Sequence, residues 1–336
     1  MNGRDQQTTY HRPGYRLTLN GQDITPRING RLINLRITSQ RGGEADQLDI
    51  TLTDHDGAIA LPPHGAALNV AIGWRDEGLT DRGVFIVDEV EHSGAPDRLT
   101  IRARAADMRN LLPGKRSQSW HGVTIADIID TIAKRHDLTP VIGDTLAGIR
   151  IGHIDQTDES DLNFLTRLGQ RYDAIAAVKS ERMLFTLAGV ALTASGIALP
   201  RVTLTRRDGD QHRYSRTDRD SYTGVRAYWN DTTGSQRQAA IAGTEDKLKD
   251  LRNTYATGAD ALDAAKAEMR RIQRGKATFE LTLAHGRADL MPETPLTLIG
   301  WKNGIDSADW LVTEVEDSLN DSGYGTRIRC EVKTQV

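Results

Sequence analysis

One stretch of this chain occurs twice, and this repetition constrains the fold more than any other feature of the sequence. The first copy covers residues 65–104 and the second covers residues 293–333. In each copy an alternating apolar run ends on Ile-Gly-Trp, a polar turn follows, and the next strand carries Glu-Val-Glu before a basic alternating strand. Residues 48–52 precede the first copy and the similar residues 279–283 precede the second. A repeat of this length, with its parts in the same order, indicates an internal duplication.

The alternative is that any two hairpins rich in Val, Ile and Thr look alike. The shared Gly-Trp corner and the spacing to Glu-Val-Glu favour duplication over that alternative. Trp74 and Trp301 each follow a glycine at a strand end. Two roles are open for them: each indole covers one end of its own β unit, or each contacts a neighbouring subunit.

Composition excludes several classes of function. The net charge of −3 argues against nucleic-acid binding driven by bulk charge. Cys330 is the only cysteine, which excludes an internal disulfide and a multi-cysteine metal site. Neither a signal-peptide pattern nor an apolar run of the roughly 18 residues that span a bilayer is present. We therefore expect a protein that is made and kept in a cytoplasm-like compartment.

The strand and helix patterns predict a mainly β chain with an α+β insertion. Short alternating segments without a long helix are typical of a small antiparallel barrel or sandwich. Composition then shifts toward helical periodicity before β structure returns. The predicted organisation is a flexible arm over 1–13, a first β unit over 14–112, an inserted α+β module over 113–198, and a second β unit over 199–336. The second unit is predicted to contain a helix over 259–274 and a charged loop over 234–253.

The sequence offers no assembled catalytic or metal-binding motif. Asp54-His55-Asp56-Gly57 begins like a calcium loop but lacks its later ligands, so a solvated turn is the better interpretation. The nine histidines are dispersed, without a pair four residues apart, and no nucleotide-binding or Gly-x-Ser-x-Gly pattern occurs. Paired carboxylates can hydrolyse glycosides, but Glu-Val-Glu is present in both copies, which favours a repeated surface. We predict no catalytic residue, metal or cofactor.

The segment from Tyr15 to Gly73 resembles the phage late control D proteins, the baseplate hub proteins of P2-like contractile-tailed phages. It is also similar to the hub portion of type VI secretion spike proteins. The most specific piece is GGEADQLDITLTD, which begins at Gly42, and the resemblance extends over nearly the whole chain. It implies two tail-tube-like antiparallel β-barrels in one chain. Because the chain ends at Val336 without an appended needle, we expect the spike tip to be a separate protein.

The resemblance implies a structural, non-enzymatic role in the virion tail baseplate of a phage or tailocin, assembled in the host cytoplasm. A homotrimer with pseudo-sixfold symmetry would adapt the hexameric tail tube to the trimeric spike protein. Tape measure and baseplate wedge proteins would be its other neighbours, with no specific nucleic-acid binding and no membrane span. We expect a neutral or acidic lumen wall, because DNA must pass without being held. The candidate subunit-interface residues are Arg41, Glu44, Asp46, Trp74 and Trp301.

A peptidoglycan-binding or cell-wall-degrading baseplate component is the alternative from another class. The helix–strand pattern over 115–190 is the part of the chain that could bind glycan. A transcription regulator has little support, because the sequence shows neither a recognition-helix pattern nor a basic stripe.

Overall fold

The computed structural model describes residues 11–42, 45–106, 114–179, 181–191, 197–216, 222–231 and 236–333. The first part of the chain forms strands β1 to β7 with one short helix, and we call it the first β unit. Along its longer strands, buried apolar and more exposed polar side chains alternate, as a sheet with one covered face requires. Its elements are β1 (Pro13–Leu19), β2 (Gln22–Asp23), α1 (Thr25–Ile28), β3 (Leu32–Gln40), β4 (Gln47–Thr53), β5 (Ala67–Trp74), β6 (Gly78–Ser93) and β7 (Arg98–Ala105).

The inserted module follows and has a hydrophobic core of its own, with Ile128, Phe164 and Leu168 at its centre. Its first long helix begins with a capping box, in which Thr124 and Asp127 satisfy each other's backbone N–H groups. Its elements are β8 (Arg116–Thr124), α2 (Ile125–Arg135), β9 (Thr139–Ile142), α3 (Asp144–Ala147), β10 (Arg150–Glu159), α4 (Asp161–Tyr172), β11 (Ala174–Lys179) and β12 (Arg182–Leu187).

The rest of the chain contains a second β unit that is interrupted by a small helix-covered sheet. The second β unit comprises β13 (Val202–Thr205), β14 (Gly209–Arg216), β18 (Ala277–Leu283), β19 (Pro295–Ile299), α6 (Asn303–Asp306), β20 (Trp310–Asn320) and β21 (Gly323–Val332). The helix-covered sheet comprises β15 (Gly224–Asp231), β16 (Gln236–Gly243), β17 (Leu248–Tyr255) and α5 (Gly258–Arg274). Thr257 caps α5 by accepting a hydrogen bond from the Asp260 N–H.

The two β units have the same strand order. Hydrogen-bonded neighbours run β3-β4-β7-β6-β5-β1 in the first unit and β14-β18-β21-β20-β19-β13 in the second. The last strand differs in direction, because β1 is antiparallel to β5 whereas β13 is parallel to β19. Antiparallel pairing of β20 with β3 joins both units into one sheet. The predicted mainly β fold is thus confirmed, although among the described residues this strand order is open rather than closed into separate barrels.

The charged loop predicted over 234–253 is wrong for the described residues 236–253. Strands β16 and β17 occupy this segment and flank β15 in a three-stranded sheet. Val225 and Ala227 of β15 are fully buried and pack with Ala261 and Ala265 of α5. Because this core is built largely from alanine, and the other face of the sheet is charged, the segment lacks the large alternating apolar residues that signal a strand.

The predicted helix over 259–274 is present and begins one residue earlier. The predicted arm over 1–13 lies mostly outside the described residues, and β1 begins at Pro13. The domain boundaries near residues 112 and 198 stay predictions, because residues 107–113 and 192–196 are not described. In the described part of the chain, the helices are too short or too polar to cross a lipid bilayer.

Candidate functional site

A row of four charged residues crosses the outward face of the first β unit. In register, Arg36 of β3 lies opposite Asp49 of β4, which lies opposite Arg102 of β7, which lies opposite Glu89 of β6. Arg102 donates to the Glu89 carboxylate at 2.7 Å and approaches Asp49 at 3.8 Å. The hydrogen bond to Glu89 raises the pKa of Arg102. The signs alternate from strand to strand, so each charge lies opposite a charge of the other sign on a neighbouring strand.

The second β unit contains the equivalent row. Arg213 of β14 lies opposite Glu280 of β18, then Arg329 of β21, then Glu314 of β20. The β-bulge is also repeated, since the register shifts just before Glu89 in the first unit and just before Glu314 in the second. In these four strands the internal duplication inferred from the sequence is therefore present residue by residue. We call the two rows and their flanking polar residues the charged face.

The charged face continues across the junction between the units. Strand β20 pairs with β3 at seven successive positions, from Glu314 opposite Gln40 to Asn320 opposite Asn34. The Arg36 guanidinium lies 3.7 Å from the carboxylate of Glu316. Opposite charges thus also meet at the junction, through this diagonal contact, and the Glu-Val-Glu pairs form a repeated surface.

Arg41 lies in an ion network inside the chain. Its guanidinium donates to Glu331 and lies 3.4 Å from Glu293. Glu331 also forms an ion pair with Arg274 of α5, whose Nε lies 2.9 Å from the Glu331 carboxylate. Glu293 accepts from the backbone N–H of Gly189 at 3.0 Å, and burial raises its pKa. The network ties the junction of the units to α5 and to the segment that follows the inserted module.

The two repeated tryptophans have different surroundings. Trp74 donates from Nε1 to the carbonyl of Gly286 at 2.8 Å and stacks on His285 with ring centroids 3.9 Å apart, so it contacts the second unit of its own chain. Trp301 packs edge-on against Phe279 of its own unit, 5.5 Å between centroids. Its Nε1 is buried and has no hydrogen-bond partner among the described residues.

The remaining candidate interface residues are not brought together with the tryptophans. Asp46 is half-buried at the start of β4, where its carbonyl accepts from the Ala105 N–H at 2.8 Å. Glu44 lies outside the described residues. Sequence reasoning selected these positions for their charge and loop context, which does not specify the partner of a side chain.

A group that sequence reasoning missed surrounds Trp74. His11, Glu77 and His285 each place one donor atom within 4.8 Å of the others. Two imidazoles and a carboxylate are ligands that a divalent transition metal accepts. His11 already lies 2.7 Å from Asp76, and partial burial, together with His11, lowers the pKa of His285. The histidines come from distant parts of the chain, so no local spacing could have predicted the group.

The fold and the charged face define a duplicated β protein that repeats one charged surface. The family model for the phage tail baseplate hub (GPD) matches residues 44–323. The chain belongs to this family.

Curated relatives agree with that assignment. The probable baseplate hub protein of Escherichia phage 186 is 44% identical, over 96% of this chain and 93% of the relative. The protein of the same description from Escherichia phage P2 is 43% identical over the same shares. The resemblance identified in the sequence is confirmed.

Solved structures share the fold at low sequence identity. The 43 kDa tail protein of prophage MuSo2 from Shewanella oneidensis has a TM-score of 0.70 at 16% identity, over 95% of this chain and 98% of that one. The E. coli c3393 protein, described as a component of the type VI secretion system, has a TM-score of 0.58 at 15% identity, over 97% of this chain and 78% of that one. At these identities the likeness is one of fold.

Proposed function

We propose that three copies of this baseplate hub chain form a ring in which six similar β units surround one axis. The observation that carries the proposal is the repeated strand order, together with the repeated Arg–acid–Arg–Glu row in matching register. Two units joined side by side through β20 and β3 are one third of a six-unit ring. Closed rings with head-to-tail contacts are a common form of homo-oligomer.

Such a ring would serve as an adaptor at the distal end of the tail. One side would present six similar surfaces to the first hexameric ring of the tail tube, and the other would seat a trimeric spike protein. Tape measure and baseplate wedge proteins would be its neighbours, and assembly would take place in the host cytoplasm. Membership of the baseplate hub family supports this location.

The charged face would line the lumen of the ring. The pairing of β20 with β3 makes this face continuous across both units, as the wall of a closed ring requires. Positive and negative side chains alternate on the charged face, which leaves no continuous basic lining that would hold DNA. This arrangement fits the neutral or acidic wall expected for a DNA passage.

The proposed role needs no catalytic residue, and its test is the oligomeric state. Size exclusion with light scattering should give a mass three times the 37.0 kDa of the chain. Images of the purified protein should show a ring with six lobes. A strict monomer at high concentration would contradict a preformed trimer. Clearing of a peptidoglycan zymogram, or tight binding to purified sacculi, would instead favour the cell-wall alternative.

A further inference from the structure

Two strand edges of the charged face have no backbone partner among the described residues. Within β20, residues 314–320 pair with β21 on one side and with β3 on the other. The equivalent stretch of β6, residues 89–93, pairs with β7 only. Strand β14, which is equivalent to β3, pairs with β18 only. At the junction inside the chain, the equivalent edges of β20 and β3 cover each other. The β6 edge of the first unit and the β14 edge of the second unit are uncovered in the described part of the chain.

We propose that β6 of one copy pairs antiparallel with β14 of the next copy, in the register that β20 and β3 show within the chain. This inference rests on the proposed ring of three copies and names its subunit interface. Transferring the register through the equivalent residues places Glu91 opposite Ser215 and Ser93 opposite Arg213. These pairs correspond to Glu316 opposite Thr38 and Ser318 opposite Arg36.

Charge complementarity identifies a second copy of this chain as the occupant of each edge. The outer edge of β6 carries exposed Glu89 and Glu91, whereas β14 carries exposed Arg213 and Arg216. Arg213 makes no ion pair among the described residues, although its equivalent Arg36 pairs with Glu316. In the proposed interface Glu91 takes the place of Glu316 and supplies the missing partner. The alternation of charge then continues from copy to copy.

A second observation comes from the repeated tryptophans. Trp74 donates across the junction to the carbonyl of Gly286, in the loop that follows β18. The buried Nε1 of Trp301 has no partner among the described residues. The loop after β4, residues 54–57, is the first unit's equivalent of the loop that contains Gly286. In the proposed interface, this loop of one copy lies next to Trp301 of the neighbouring copy. Because Nε1 is already covered by its own chain, a hydrogen bond to a carbonyl of this loop requires the Trp301 side chain to shift on assembly, and such a shift would relieve a buried N–H without a partner.

Among the described residues, the two edges do not pair within one copy. Strands β14 and β6 lie at opposite ends of eight neighbouring strands, seven steps of about 4.8 Å each. Any covalent link between them therefore joins different molecules. This property makes disulfide trapping a direct test.

The test pairs Glu91→Cys with Ser215→Cys in the otherwise native chain. Under mild oxidation we expect most of the protein to run as linked dimers and trimers on a non-reducing gel. The matched control, Glu91→Cys with Gln211→Cys, moves the second cysteine along the same face of β14 by about 13 Å, beyond disulfide reach. Each single cysteine variant controls for random collision. Because Cys330 is only 1% exposed, it should not form disulfides and should not contribute linked species to the gel.

Charge reversal tests the same interface without a covalent bond. Glu91→Arg, and separately Arg213→Glu, should raise the dissociation constant of the trimer at least tenfold, because like charges then face each other. The double variant should recover most of the affinity. Glu245→Arg, at an exposed acid in the turn between β16 and β17, is the control and should leave the constant unchanged.

The outcomes separate this interface from the trimer itself. In-register links with recovery in the double variant support the pairing. A trimer by light scattering with no in-register link and no response to charge reversal overturns the pairing and leaves the trimer standing. A strict monomer without links overturns both. Specific links that build open chains of many copies support the pairing and overturn the threefold ring.

Discussion

Arg82 of β6 and Asp317 of β20 form an ion pair, 3.1 Å apart, that joins the two β units beneath the charged face. The Asp317 side chain is fully buried and also accepts hydrogen bonds from Tyr324 at 2.9 Å and Thr326 at 2.6 Å. Arg82 donates to the carbonyl of Ala288 at 2.9 Å. The junction thus depends on a polar group inside it as well as on the strand pairing at its surface.

Removing the cation should destabilise the chain strongly. We expect Arg82→Met to lower the free energy of unfolding by about 3 kcal/mol, because it leaves the buried carboxylate of Asp317 without its counter-charge. Urea denaturation measures this change. Arg104→Met is the matched control, since Arg104 forms an exposed ion pair with Asp88, and its cost should stay below about 1 kcal/mol. Equal losses in the two variants would contradict a special role for the buried pair.

The loss in Arg82→Met should depend on pH. Burial raises the pKa of Asp317 above its ordinary value of 3.8, and Arg82 opposes that rise. Without Arg82 the pKa of Asp317 should rise further. The free energy of unfolding of Arg82→Met should therefore fall furthest below that of the native chain at a pH where the carboxylate is ionised. As the pH falls through that raised pKa, Asp317 takes up a proton and the gap in stability between the native chain and Arg82→Met should shrink. A gap that is constant from pH 7 to pH 4 would show that ionisation of Asp317 is not its cause.

The repeated surface was predictable because its signal is local. Strand alternation and the recurrence of Glu-Val-Glu were enough to infer that Glu89 and Glu314 lie on equivalent faces, without the partner strands being known. The order of the two β units and of the inserted module also followed from periodicity and from the resemblance.

What the sequence did not reveal depends on contacts between distant residues. The pairing of β3 with β20 and the burial of Arg41 against Glu331 join positions that no local pattern relates. The helix-covered sheet was missed for a different reason, since its alanine core carries little hydrophobic signal. Charge alone marked Arg41 as an exposed contact, whereas packing placed it inside the chain.

The two repeated tryptophans should respond differently to the same substitution. Trp74→Phe removes the hydrogen bond to Gly286 and should lower the free energy of unfolding of the isolated chain by about 1 kcal/mol more than Trp301→Phe does. Trp301→Phe removes an N–H that has no partner among the described residues, and should weaken the trimer instead. Chemical denaturation and light scattering measure the two effects separately. Equal destabilisation and an unchanged trimer constant would contradict this division.

The inserted module should depend on one buried carboxylate. Asp161 is 1% exposed and accepts hydrogen bonds from Gln156, His136 and Arg135, each at 2.8 Å. Burial favours a raised pKa, but these three partners outweigh it and hold the pKa of Asp161 below its ordinary value of 3.8. The ionised carboxylate therefore stabilises the fold above pH 3.8, and this stabilisation is lost as the pH falls through the lower folded-state pKa.

Replacing this carboxylate with an amide tests the dependence. Asp161→Asn should cost about 3 kcal/mol at pH 7, since the cations around it lose their counter-charge, and less at pH 3. Asp158→Asn is the control, because Asp158 pairs with Lys115 at the surface, and its cost should be within about 1 kcal/mol of zero. Denaturant titrations at both pH values measure the costs. A cost for Asp161→Asn that grows on acidification would reverse the sign argued here.

The helix-covered sheet should be protected from protease, unlike a charged loop. Lys249 and Arg252 lie in β17 and Arg237 lies in β16, so trypsin should cut there slowly in the native chain. Ala265 of α5 is fully buried against this sheet, and Ala265→Trp should cost about 1–3 kcal/mol by overpacking and speed cleavage at these sites.

An exposed position on the same helix gives the control. Ala259→Trp places the same side chain in solvent in the first turn of α5, so neither stability nor cleavage should change. Mass spectrometry of timed digests identifies the cut sites. Rapid cleavage of the native chain at Lys249 would mean that β17 opens readily, and α5 would then cover a mobile segment rather than a sheet. Slow cleavage that only Ala265→Trp accelerates would show that alanine packing, with few large apolar side chains, holds these strands in place.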